Sequence, residues 1–125
     1  MSLLIRNFLL SLLLAVPLGA GAEPYTQTAF ERLQKEGAPV LVSIHADWCP
    51  TCRAQAPIVQ SLLEQNPYRR IQLLRVDFDE QKDIVRAFRA SMQSTLIVFK
   101  EGREVGRSVG DTSEAGIAAL LGKAL

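Results

Sequence analysis

Beyond residue 22 the spacing of apolar side chains switches repeatedly between the three-to-four repeat of a helix and the alternation of a strand. "YTQTAFERLQKEG" (25–37) predicts a helix, with Phe30 and Leu33 on one face, charges elsewhere and Gly37 as the stop. "PVLVSIHA" (39–46) predicts a strand in which Val40, Val42 and Ile44 alternate with Leu41, Ser43 and His45. From Cys49 the pattern is helical again, pairing Ile58 with Leu62 and Val59 with Leu63, and Pro57 inside it should kink the helix. "IQLLRVDF" (71–78) is a second strand, and "DEQKDIVRAFRA" (79–90) a helix opened by acidic residues and buried through Ile84, Val85 and Phe88. "STLIVFK" is nearly continuously apolar, as for a strand covered on both faces. Glu101-Gly102 turns it into "REVGRSVG", and a residue among Asp111, Thr112 and Ser113 caps a last helix buried through Ile117, Leu120 and Leu121. Helices alternating with strands give an α/β domain, a central mixed β-sheet flanked by helices on both faces.

Residues 1–22 follow another design. Arg6 precedes "FLLSLLLAV" (8–16), Pro17 breaks the apolar run, and Ala20-Gly21-Ala22 offers a small-residue cleavage site. That is the layout of a cleaved signal peptide, and the run is short of the ~20 residues a spanning helix needs. The expected product is one domain over 23–125, exported to the periplasm, monomeric and with no membrane span after cleavage. Disulfides persist in such a compartment. Charge adds only exclusions. The chain has 14 Lys and Arg against 13 Asp and Glu, and removing Arg6 makes the balance even. No basic patch invites nucleic acid, and "YRR" (68–70) reads as a solvated connection.

The chemistry concentrates in "SIHADWCPTCRAQAP" (43–57), which holds both cysteines of the chain. As a brace the pair is poor: a bond from Cys49 to Cys52 closes so short a loop that chain entropy gives only ~2 kcal/mol. Structural zinc asks for four ligands, and two cysteines with one histidine fall short. Covalent haem attachment would need His at 53, where Arg53 stands. Redox exchange fits. A cysteine at the first turn of a helix meets unpaired N–H groups and the positive end of the dipole, which stabilise a thiolate. Pro50 suits that turn, and Cys52 lies one turn on, within reach of Cys49.

These residues carry a family resemblance. "ADWCPTC" resembles the W-C-x-x-C site of the thioredoxin family, Pro57 falls where that family kinks its active-site helix, and "STLIVFKEGREVGRSVG" resembles its last two strands. "HADWC" is also similar to the thiol-transferring domain of periplasmic electron-relay proteins. The resemblance, over nearly all of 25–125, implies a thioredoxin fold and thiol–disulfide oxidoreductase activity. Cys49 is then the nucleophile and Cys52 the resolving thiol, through a redox-active Cys49–Cys52 disulfide. Three positions depart from the family. Ser94, between Gln93 and Thr95 in the loop expected to face substrate, replaces the usual cis-proline. A cis Gln93–Ser94 bond would cost ~3 kcal/mol. Ser43 stands where many relatives bury an aspartate, and His45 where an aromatic residue is frequent. His45 either replaces the missing base or tunes the Cys49 thiolate, or else is satisfied by a backbone carbonyl.

Around the pair, Trp48 is read as cover for one side of the site, with Pro50 and Thr51 between the sulfurs. Arg53 either favours the thiolate by its charge or is solvated. Arg75 reads as a plain strand residue and Asp47 as a polar lead-in to the turn. No G-x-G-x-x-G occurs, so no flavin or nicotinamide cofactor is expected. Electrons must pass through an electron-relay partner protein to or from protein thiol or disulfide substrates. Reduction is favoured over oxidation because Pro-Thr lacks the histidine that strong oxidants of this family place between the cysteines. The competing expectation is a copper carrier, since Cys49 and Cys52 would hold a soft ion such as Cu(I).

Overall fold

A computed structural model describes residues 21–125. The leader expected over 1–22 therefore lies, but for its last two residues, outside the described residues. Among the described residues no helix is long and apolar enough to cross a membrane.

Among the described residues five strands form one sheet in the order β1-β3-β2-β4-β5: β1 (Glu23–Pro24), β2 (Val40–His45), β3 (Gln72–Asp77), β4 (Thr95–Lys100) and β5 (Arg103–Val109). β3 runs parallel to β1 and β2, whereas β4 is antiparallel to β2 and to β5. The sheet is mixed, as the sequence implies. Among the described residues four α-helices complete it: α1 (Gln27–Lys35), α2 (Pro50–Leu63), α3 (Lys82–Ala87) and α4 (Glu114–Gly122).

The continuous apolar strands have a simple cause. Val40, Val42 and Ile44 of β2 join Phe30 and Leu33 of α1 and Val85 of α3 in one core. Leu41, between them in sequence, points to the opposite core with Val59 and Leu62 of α2 and Ile117 and Leu121 of α4. Strand residues alternate between faces, so a strand covered on both sides is mostly apolar, and in β2 polar residues enter only at Ser43 and His45 near the site. All six residues of β2 are buried.

The helix ends follow local chemistry. Thr26 accepts a hydrogen bond from the Ala29 N–H and caps α1, which begins two residues later than expected, with Tyr25 buried outside it. Ser113 caps α4 through the Gly116 N–H. Helix α2 runs through Pro57 without ending. The Glu101-Gly102 turn has both φ values positive, 51° and 76°, the conformation that suits a two-residue hairpin.

Three features depart from expectation. Helix α3 is only six residues, not twelve. Asp77 Oδ1 accepts the N–H groups of Asp79 and Glu80, which commits the acidic stretch to a turn before the helix starts. At its other end Arg89 has φ 54°. The two-residue β1 and a 3₁₀ turn at Tyr68–Arg70 are too short to carry periodicity.

Candidate active site

Strand β2 delivers the chain to the site. After His45, a turn at Ala46–Trp48 leads directly into α2, with Cys49 as its N-cap. The Cys49 sulfur accepts the Cys52 N–H at 3.2 Å, and Pro50 occupies the first helical position, where no N–H is needed. Both cysteines are free thiols and nearly enclosed, Cys49 3% exposed and Cys52 1%, packed with Ala46 and against Phe78. Trp48 is 58% exposed beside them, held by its indole N–H to Asp79 Oδ2 at 2.7 Å. Thr51 is half-buried, and Pro50 and Arg53 are exposed.

The loop before β4 closes over the pair. Because β4 runs antiparallel to β2, its first residue lies beside the C-terminal end of β2, Ile44 opposite Thr95. That register sets Ser94 against the sulfurs, with Oγ 3.0 Å from Cys52 Sγ and 3.4 Å from Cys49 Sγ. The Gln93–Ser94 bond is trans, and Ser94 takes the left-handed region at φ 61°. Its N–H donates to the Ile44 carbonyl at 2.8 Å, and its carbonyl accepts from the Gly110 N–H at 2.9 Å. Gln93 is half-buried, and the Thr95 hydroxyl donates to the Met92 carbonyl, bracing the loop.

The two thiols are driven apart electrostatically. Burial pushes the Cys49 thiol up. Hydrogen bonds from the Ser94 hydroxyl, the Cys52 thiol and the N–H groups of Cys52 and Thr51 outweigh it and lower Cys49 from 9.0 to about 7. Burial pushes Cys52 up, and the neighbouring Cys49 adds to that, against the Ser94 hydrogen bond. The arrangement gives one sulfur that ionises near neutrality and one that holds its proton.

The other anticipated residues divide. Ser43 is buried on the central strand, opposite Arg75 of β3, whose Nε is buried with no partner. His45 bonds through Nε2 to Asp47 Oδ1 at 2.9 Å, so its partner is neither a sulfur nor the backbone carbonyl considered from the sequence. Asp47 is thereby more than a lead-in to the turn.

One residue was missed. Gln55 is 3% exposed and donates to the Asp111 carbonyl at 2.9 Å and to the Ser94 carbonyl at 3.4 Å, tying α2 to the loop over the sulfurs. Its signal was available, since Cys52, Gln55, Val59 and Leu62 form the buried stripe of α2 and a polar residue there needs partners. For a metal, Cys49 and Cys52 are the available soft ligands. Among the described residues no group of three or more His, Cys, Asp or Glu is placed to hold an ion.

Comparison with known proteins agrees with this geometry. The family described as "Thioredoxin" matches residues 22–123. A thioredoxin of Chlamydia muridarum is 36% identical over 84 residues, covering 67% of this chain and 80% of that protein. One from Echinococcus granulosus is 33% identical over 93 residues, 74% and 84% of the two chains. Among solved structures, Trxlp from Edwardsiella tarda superimposes with a TM-score of 0.78 at 44% identity, covering 81% of this chain and 98% of that one. A mutant thioredoxin from Halobacterium salinarum gives 0.72 at 26% identity, covering 82% and 88%.

Proposed function

Since the chain belongs to the thioredoxin family and is a thiol–disulfide oxidoreductase, we propose that it works as a reductase of protein disulfides, with Cys49 attacking and Cys52 resolving. The observation that carries this reading is the split between the two thiols. Ionised Cys49 attacks a substrate disulfide, a new S–S bond forms to Cys49, and the electron pair of the broken bond leaves on the departing sulfur, which takes up a proton. Cys52, deprotonated in turn, attacks Cys49 Sγ. The substrate's second sulfur leaves as a thiol, and the pair ends as a Cys49–Cys52 disulfide. Two electrons have passed to the substrate.

The extent of the Cys49 shift supports the reducing direction. A thiol at about 7 matches a thioredoxin, whereas strongly oxidising relatives reach about 3.5 by stabilising the reduced form much more. Regeneration then requires a donor protein, because nothing in the chain binds a nucleotide by the usual glycine fingerprint. The leader motif in 1–22 supports a periplasmic location for the domain, and fractionation of cells producing the full chain tests it.

Copper carriage is the rival use of the same two sulfurs, since soft thiolates favour Cu(I). An insulin-reduction assay with dithiothreitol, run beside a Cu(I) competition titration, separates the two. The expected result is turnover that Cys49→Ser abolishes. Stoichiometric copper binding without turnover would overturn the reductase reading.

A further inference from the structure

Cys52 must give up its proton to resolve a mixed disulfide, yet burial and the adjacent Cys49 push its thiol up. No ionisable side chain other than the other cysteine is within hydrogen-bond reach of it among the described residues, and His45 is engaged with Asp47. The side chain that meets both sulfurs is Ser94, its Oγ 3.0 Å from Cys52 Sγ and 3.4 Å from Cys49 Sγ. We propose that the Ser94 hydroxyl is a catalytic donor shared by the two thiols, turning its O–H toward whichever sulfur carries the charge. This deepens, and rests on, the exchange reading above.

A serine hydroxyl has one proton to give and two lone pairs, and its hydrogen rotates to suit its neighbours. In the dithiol the O–H points at the Cys49 thiolate, and so does the Cys52 S–H. Once Cys49 is bonded to substrate it is neutral and no longer competes for the proton of the hydroxyl. Cys52 then loses its proton to water while the O–H swings to the emerging thiolate, where a charge-assisted bond is stronger than the neutral one it replaces. The Cys52–Cys49 bond forms, the Cys49–substrate bond breaks, and the electron pair leaves on the substrate sulfur, which is protonated from water.

The backbone holds the oxygen in place. A non-glycine residue at φ 61° persists only where its surroundings fix it. Here the Ile44 carbonyl, the Gly110 N–H and the Gln55 amide grip the main chain of a residue that is 3% exposed. Proline at 94 would offer neither the N–H nor the hydroxyl.

Dithiobis-nitrobenzoate tests the idea on the full reduced chain, because each exchange step releases one coloured thiol: attack gives the first, resolution the second. Ser94→Ala and Ser94→Gly both remove the hydroxyl, and glycine accepts the positive φ without strain, which separates chemistry from folding. Both variants are expected to slow each release roughly threefold to tenfold below pH 7, since higher thiol pKa values are partly offset by greater nucleophilicity. The pH midpoint of the first release should rise from about 7 toward 9.0. Thr26→Ala, remote from the site, should change neither. A second release at wild-type speed in either Ser94 variant would overturn the shared-donor role. A wild-type protein that gives only one release would instead overturn the exchange reading beneath it.

Discussion

Cys49 stands between burial, which disfavours its charge, and four hydrogen bonds, which favour it, and the bonds prevail. The sign of the pH dependence follows. The folded-state value is lowered to about 7, so the reactive thiolate dominates above that pH. Below it the alkylation rate of Cys49 should fall about tenfold per pH unit. Iodoacetamide trapping across pH reads this midpoint, and a midpoint left at 9.0 would contradict it. His45→Phe should leave the midpoint in place, because the ring nitrogen is bonded to Asp47 and not to sulfur. A shifted midpoint would restore His45 as a tuning group. The cysteine pair itself was legible in the sequence, since C-x-x-C in a chain with no other cysteine offers no other bond. The posture of Ser94 was not. Serine does not announce a left-handed backbone as glycine or asparagine would, and its contact with the sulfurs spans 45 positions to Cys49.

The site is held by the joints between elements more than by any one of them. Gln55 links α2 to the carbonyls of Ser94 and Asp111. Replacing it by leucine leaves the Asp111 carbonyl without its donor, while the Ser94 carbonyl keeps the Gly110 N–H, and should cost about 1–3 kcal/mol, read from urea unfolding. An unchanged midpoint would mean that water substitutes for the amide. At α1 the Thr26 hydroxyl serves only the helix, so Thr26→Ala should cost about 1 kcal/mol with disulfide exchange untouched. The strands were readable from the alternation of Val40, Val42 and Ile44 in β2 and from the nearly continuous apolar run of β4, whose two faces are both covered. Helix α3 was overread for an equally local reason: acidic residues that would suit a helix start are held in a turn by the Asp77 carboxylate, and Asp79 also holds Trp48.

In the molecule as a whole, two cores on opposite faces of the sheet fix the ends of β2 and β4 side by side, and the sulfurs and Ser94 meet at that edge. The scaffold and the chemistry should therefore separate under mutation. Ile97→Ala in the centre of β4 should cost about 2–5 kcal/mol in unfolding free energy while exchange per folded molecule is retained. Loss of exchange in the folded variant would show that the core tunes the thiols directly. The alternation of elements was enough to suggest this architecture. The meeting of its distant edges came only from the family resemblance at Ser94, because strand order and register are set by packing between segments remote in sequence. The most direct measurement is equilibration of the full chain in graded glutathione buffers, counting free thiols at each poise. One reversible two-electron transition is expected, in which Cys49 and Cys52 lose their thiols together with the fold unchanged by circular dichroism. Two thiols that stay free across every buffer would contradict it.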